Sequence, residues 1–212
     1  MRANTNKKIL WQSIAVFTGI PLLLWAMGTL PERSLLKESL SIITILAFCQ
    51  MIGQLFWTRS NRSAVTQLTM NNVIKYHKII GYTFFLILLF HPFYLVVPRL
   101  FESGVAPVDA FVTIISTLNQ GVVLGIIAWC LMLALGVTSF VRKKLPMKYR
   151  TWRAFHGMLA IFFILLAVCH VIDLGRHSTL AMSIFISMLT GGGVLLLLKT
   201  YILKKTKKIS EA

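Results

Sequence analysis

Negative charge is scarce in this chain. Six Asp and Glu stand against 22 Lys and Arg, and charged residues of both signs make up only 13% of the 212 residues. That is about half the roughly 25% typical of a soluble globular domain. With 57% of the residues hydrophobic, too little polar surface remains to coat a water-soluble body of this size. A soluble enzyme is excluded on that ground, and the same apolar content excludes disorder. A net charge of +16 in a soluble protein would point to nucleic acid. Here the basic residues sit in short clusters between long apolar runs, so the partner is membrane lipid and no nucleic acid is expected. Cysteine pairing is absent as well: Cys49, Cys130 and Cys169 are scattered through apolar runs without a CxxC. They behave as small hydrophobes and form neither a disulfide framework nor a zinc site. There is no internal repeat and no dinucleotide fingerprint. Gly191–Gly193 lacks the preceding strand that a phosphate loop needs, and is read as a packing or flexibility point in the sixth helix.

What is present is a series of charge-free stretches: Ile9–Pro31, Ser39–Thr58, Ile79–Pro98, Ala110–Val141, Ala154–Ile172 and His177–Leu198. Each reaches about the 20 residues a helix needs to cross hydrocarbon. The fourth is longer, with its start at Ala110–Gln120 read as an outer loop or short interfacial helix and the span proper near Gly121–Val141. The first is too long for a signal-peptide core and is followed by no small-residue cleavage site. Eighteen cations fall on one side: Arg2, Lys7, Lys8, Arg59, Arg62, Lys75, Lys78, six between Arg142 and Arg153, and Lys199, Lys204, Lys205, Lys207 and Lys208. Four fall on the other: Arg33, Lys37, Arg99 and Arg176. The positive-inside rule then puts both termini in the cytoplasm. The expected fold is all-α, a six-helix transmembrane bundle, N-in/C-in, integral to the plasma (inner) membrane. After the sixth span only a basic tail to Ala212 is expected, with no attached flavin or NAD domain.

Four histidines carry the chemistry. His77 and His91 lie in the third span, His156 and His170 in the fifth, and both pairs are separated by 14 residues. Fourteen helical steps come roughly 40° short of four whole turns, so each pair shares one helix face, roughly 21 Å apart along the axis. Both helices run from inside to outside. His77 and His156 therefore sit at the cytoplasmic level, and His91 and His170 at the outer one. Ionisable groups inside a bilayer are costly and mark function. A bare metal ion needs three or four converging side chains, whereas each level offers two imidazoles and no carboxylate. A porphyrin supplies four nitrogens and leaves two axial positions for histidine. The spacing thus points to two b-type haems between helices three and five. His177, in a short outer loop without a partner at this spacing, is read as a surface residue. Gly81 and Gly157, beside His77 and His156, are read equally as room for a macrocycle or as helix-packing positions, and Pro92 as a bend beside His91.

Haem propionates are anionic, and arginine suits carboxylates. Arg153, Arg150 and Lys78 near the inner histidines, and Arg99 with Arg176 near the outer ones, are the candidate propionate partners. The other reading of the inner cations is that they only enforce topology and meet lipid headgroups.

The segments Tyr76-His77-Lys78-Ile79-Ile80-Gly81 with Leu89-Phe90-His91-Pro92, and Tyr149-Arg150-Thr151-Trp152-Arg153-Ala154-Phe155-His156-Gly157 with Cys169-His170, resemble the ferric reductase-like transmembrane domain. That superfamily includes NADPH oxidases, ferric-chelate reductases and the haem-binding membrane subunit of the periplasmic methionine sulfoxide reductase system. The resemblance covers roughly residues 40–200 of a single domain spanning 1–212. It implies that His77 and His156 ligate the inner haem iron and His91 and His170 the outer one. It also implies electron flow from a cytoplasmic flavin (FAD or FMN) to an acceptor outside. Because no flavin domain follows the sixth helix, the flavin would sit on a separate flavoprotein reductase. A histidine at position 77 looks closer to the ferric reductase and oxidase side than to the sulfoxide reductase subunit, where this position varies. Ferric iron, a periplasmic reductase and oxygen all stand as acceptors, and a quinol stands as an alternative donor. The rival reading is a metal or proton transporter with the histidines as relay. It has no Asp, Glu, Lys or Arg in the span interiors to bridge the gaps between them. A membrane di-iron enzyme would need Glu-x-x-His clusters, which the sequence lacks.

Overall fold

The structure, a computed structural model, describes residues 2–102 and 104–209, with side chains described over 7–102 and 104–199. Arg2, Lys204, Lys205, Lys207 and Lys208 of the charge asymmetry lie outside the residues with described side chains. The described residues form helices and turns without a strand: α1 (Arg2–Ile14), α2 (Ile20–Ala26), α3 (Leu35–Gly53), α4 (Arg62–Leu68), α5 (Met70–Tyr94), α6 (Pro107–Ser116), α7 (Gln120–Phe140), α8 (Tyr149–Leu174) and α9 (Leu180–Ile209). Six segments are long and apolar enough to cross a membrane: Lys7–Ala26, Leu35–Gly53, Met70–Tyr94, Gln120–Phe140, Tyr149–Leu174 and Leu180–Lys199. The protein is thus a multi-pass integral membrane protein.

Helix boundaries differ from the charge-free runs at several ends. The third and fifth spans begin earlier, at Met70 and Tyr149, so Lys75, Lys78, Arg150 and Arg153 are helical. Counting apolar residues finds only the hydrocarbon-facing part of a helix, whereas long basic side chains let the same helix continue into the headgroup region. The long fourth run is split into α6 and α7 by a turn with Leu118 at φ 46°, and Asn119 accepts a hydrogen bond from the Val122 N–H at 2.8 Å as the N-cap of α7.

The first span is interrupted by a π-helical turn at Ala15–Gly19. Pro21 explains it: proline has no N–H for the carbonyl of Phe17 four residues back, and its ring crowds that carbonyl. Gln50 on α3 fills the gap, its Nε2 donating to Thr18 Oγ1 at 2.9 Å and reaching Phe17 O at 3.5 Å.

The core gathers Phe48, Ile52, Leu55, Leu88, Met132, Ile164 and Ile186 from α3, α5, α7, α8, α9 and the turn after α3. Leu86, Phe90, Ile126, Phe162, Leu165 and Met188 are turned outward and exposed, as expected where lipid is the solvent. Between helices in lipid the association comes from close packing rather than from a hydrophobic driving force. Glycines supply the close approaches. A Cβ on Gly136 of α7 would lie 2.5 Å from the Phe85 ring of α5, and one on Gly193 of α9 would lie 2.8 Å from Leu55. Gly193 thus bears out the packing role expected of the glycine triplet. Gly191 has nothing within 4 Å.

α7 and α8 are antiparallel. Gly121 and Gly125 near the start of α7 meet Leu174 and His170 near the end of α8, while Ser139 near the end of α7 meets His156 near the start of α8. α5 and α8 are parallel, because His77 lies beside His156 and His91 beside His170 in the same order.

A polar clasp closes the end of the bundle that carries His91 and His170. Trp25 Nε1 donates to Glu38 at 2.7 Å, and His177 Nε2 lies 3.0 Å from the same carboxylate oxygen. Lys37 pairs with Glu102, which also accepts from the Ser34 hydroxyl at 2.6 Å. Arg176 donates to Pro31 O. His177, expected at the surface, is therefore buried (8% exposed). The turn between α8 and α9 tucks it under the corner between α2 and α3, which sequence distance alone conceals.

Burial lowers the pKa of His177 below its ordinary value, with Glu38 opposing the shift in part. An unfolded chain takes up a proton near pH 6.5, while the folded chain resists until the pH is lower. Stability from this group is therefore complete above that pH and is lost as the pH falls toward the folded value. Thermal unfolding in detergent should begin at a lower temperature at pH 5 than at pH 7.5, and His177→Gln should narrow that difference. An unchanged difference in the variant would remove His177 from the account.

Candidate functional site

Two histidine pairs lie between α5 and α8. The ring centroids of His77 and His156 are 6.5 Å apart at an interplanar angle of 70°, and those of His91 and His170 are 6.2 Å apart at 63°. Neither pair is in direct ring contact. Two imidazoles on one metal, each with a metal–nitrogen bond of about 2.0–2.1 Å, have centroids roughly 6.4 Å apart. Both observed separations match that span. The interplanar angle in such a pair is the twist about the shared axis, which ligation leaves free.

The Nδ1 atoms of His170 and His156 are engaged by the protein. His170 Nδ1 is 2.8 Å from the Gly121 carbonyl oxygen, which fixes that nitrogen as the N–H donor and leaves Nε2 with its lone pair. His156 Nδ1 is 3.3 Å from Ser139 Oγ. His77 Nδ1 faces the backbone of Gln54 and Trp57 in the turn after α3, without a partner in hydrogen-bonding geometry. An imidazole oriented through its second nitrogen is the usual arrangement around metal-bound histidine. Among the described residues, no group of three or more His, Cys, Asp or Glu converges. Among the described residues each level therefore offers a pair of imidazoles, fewer side chains than a bare metal ion needs.

The pair His77–His156 opens into a cavity of about 1550 Å³. Its inner wall is apolar, with Phe85, Met132, Leu135, Phe163 and Ile164, and three glycines (Gly81, Gly136 and Gly157) face it. Gly81 lies one turn beyond His77, and a Cβ there would meet nothing nearer than Gln54 Oε1 at 3.4 Å. A methyl group there would be in van der Waals contact with the Gln54 side chain. Both amide atoms of Gln54 are buried without a partner. The mouth is cationic: Lys78, Arg150 and Arg153 line it, joined by Arg59, Arg62, Arg142, Lys143 and Lys199, and no described Asp or Glu does. An apolar cavity that reaches two facing imidazoles and is lined by cations fits a largely apolar group that carries carboxylates at one edge.

Sequence reasoning placed Lys78, Arg150 and Arg153 near the inner pair, and all three line its cavity. The outer candidates are turned differently. Arg99 faces the turn at Gly104 and Glu102, and Arg176 bonds the Pro31 carbonyl. Several site residues were not singled out from sequence. Gly125 sits against the His170 ring, where a Cβ would be 2.6 Å from Cε1 and Nδ1. Ser139 and the Gly121 carbonyl orient two of the histidines. Trp152 stacks on His156, with centroids 5.1 Å apart and planes at 27°. The one sequence signal for Trp152 was its place four residues before His156, on the same helix face. Trp129 ties α7 to α5 by donating to Leu89 O at 3.1 Å.

Against known proteins, residues 43–167 match the family model described as ferric reductase like transmembrane component. The chain is 44% identical over 160 residues to an uncharacterised protein of Archaeoglobus fulgidus, an overlap of 76% of this chain and 87% of that relative. No solved structure matches.

Proposed function

Because the chain belongs to the ferric reductase-like transmembrane family, we propose that it is the membrane subunit of an oxidoreductase and carries electrons across the bilayer. The donor is a cytoplasmic flavoprotein reductase holding FAD or FMN, or a quinol. The acceptor lies outside: ferric iron, a periplasmic reductase or oxygen. Both termini are cytoplasmic in this reading, so the His77–His156 pair is at the inner level of the plasma membrane. The observation that carries the proposal is the match of both imidazole separations to the span of two axial ligands on one iron.

Haem b, if bound at each level, would supply a one-electron carrier. The chain's own residues do the rest. His77 and His156 hold the inner group, His91 and His170 the outer one. Gly121 O and Ser139 fix the imidazole orientation, which keeps Nε2 available. Phe85, Met132 and Phe163 exclude water. Lys78, Arg150 and Arg153 bind the inner carboxylates, while Arg99 lies toward the outer level. The segment Arg142–Arg153, with six cations in twelve residues, offers an acidic flavoprotein a complementary face.

Detergent-purified protein should show a six-coordinate b-type spectrum that sharpens with dithionite, and close to two haems per chain by pyridine haemochrome. A colourless, folded protein after expression with haem supply would overturn the assignment and favour the transporter.

A further inference from the structure

Three aromatic rings form a stack along the start of α8. Tyr149 and Trp152 have centroids 5.9 Å apart with planes at 25°, and Trp152 and His156 have centroids 5.1 Å apart with planes at 27°. Trp152 is held in place from a second helix, its Nε1 donating to Thr138 O on α7 at 3.3 Å. The Arg142 guanidinium lies 5.2 Å from the centroids of both Tyr149 and Trp152. It forms no ion pair among the described residues, and its Nε is buried without a hydrogen-bond partner. An unneutralised cation is thus fixed, through one indole ring, against a histidine of the inner pair.

We propose that Trp152 and Arg142 are positioning residues for the inner redox site: Trp152 sets the plane of the His156 imidazole, and Arg142 biases the site toward its reduced form. This rests on the haem reading above. The physical reasons are separate for the two residues. An imidazole bonded to metal can still rotate about the metal–nitrogen axis, and a stacked indole anchored on another helix removes that freedom. Ser139 at 3.3 Å from Nδ1 supports the same orientation from the edge. The charge effect follows from distance. The two 5 Å steps put the guanidinium carbon no more than about 10 Å from the imidazole. At an effective dielectric of about 20, a unit charge 10–13 Å from an added electron shifts a one-electron equilibrium by about tenfold. The cation favours the reduced state, so its removal lowers the midpoint potential. In water at the same distance the shift would be under twofold, so the effect depends on the apolar wall behind the stack.

The test uses the purified haem-loaded protein in five variants, with potentiometric titration and electron paramagnetic resonance as readouts. Arg142→Gln should lower the inner midpoint by an amount equal to a tenfold change in the reduced-to-oxidised ratio, about 59 mV for one electron. Arg142→Lys, which keeps the charge, should restore most of it. Trp152→Leu should change the inner ferric signal, which reports the twist between axial imidazoles, and Trp152→Phe should retain it. The His170→Ala protein, left with the inner haem, identifies which signal is which. Equal potentials in Arg142→Gln and Arg142→Lys, or a shift confined to the outer haem, would overturn the charge role. Equal signals in Trp152→Leu and Trp152→Phe would overturn the orienting role. Wild-type protein without haem would instead overturn the functional reading on which both roles rest.

Discussion

On the haem reading proposed above, replacing His170 with alanine should halve the haem that the protein binds, from about two per chain to about one. His170 faces His91 at 6.2 Å between ring centroids, and no other imidazole is at that level; His177 is held in the clasp against Glu38. Removing one of two axial ligands from a site with no substitute removes most of the affinity for the group it holds. The inner level, four helical turns away, keeps His77 and His156 and should keep its haem. The change also removes the hydrogen bond from His170 Nδ1 to the Gly121 carbonyl, a net loss on the order of 0.5–1.5 kcal/mol. That cost is tolerable because α7 and α8 also pack through the Gly121–Leu174 and Ser139–His156 approaches. Pyridine haemochrome gives the stoichiometry, and size-exclusion chromatography shows whether the variant is folded. A folded variant that lost both haems equally would break the pairing of His91 with His170.

Replacing Gly125 with leucine should empty the outer level as completely as losing a ligand, although position 125 ligates nothing. A Cβ at 125 would lie 2.6 Å from two atoms of the His170 ring and 3.1 Å from a third. Such contacts cannot stand, so either the imidazole swings away or α7 retreats from α8. Either movement breaks the hydrogen bond from His170 Nδ1 to Gly121 O and turns the ring off the axis it shares with His91. Overpacking of this kind typically costs about 1–3 kcal/mol of stability, small beside the loss of a metal ligand's aim. Gly125→Ala should act in the same direction and more weakly. Gly191→Ala, with nothing within 4 Å of the new Cβ, is the control and should leave both haems in place. Full outer-haem occupancy in Gly125→Leu would show that the ring has a second productive position.

The clearest residue that the pattern of the chain did not mark is Gly125. A glycine in a transmembrane helix is ordinary, and nothing local distinguishes 125 from 191. The first seats a histidine of α8 and the second faces open space, because only the approach of two helices assigns a neighbour to a missing side chain. His177 illustrates the same limit. Its local context, a short polar turn after Arg176, reads as surface, yet the corner at Glu38 covers it. The sequence separation of 139 residues leaves no trace in composition. Trp152 is intermediate. Its spacing from His156 puts the two on one helix face, but the stacking angle depends on the Thr138 carbonyl of another helix.

The six membrane segments were fixed by the chain itself, as was the placing of two histidines on one face of the third span and two on one face of the fifth. Hydropathy belongs to the residues, and helical phase advances by a constant angle per residue, so neither needs a neighbour to be defined. The tertiary structure alone decided that these faces look at each other across 6.2 and 6.5 Å, which carbonyl and hydroxyl hold the rings, and which cations crowd the cavity mouth. Those facts depend on how glycine-notched helices slide together in lipid, where packing shape rather than apolar area selects the arrangement.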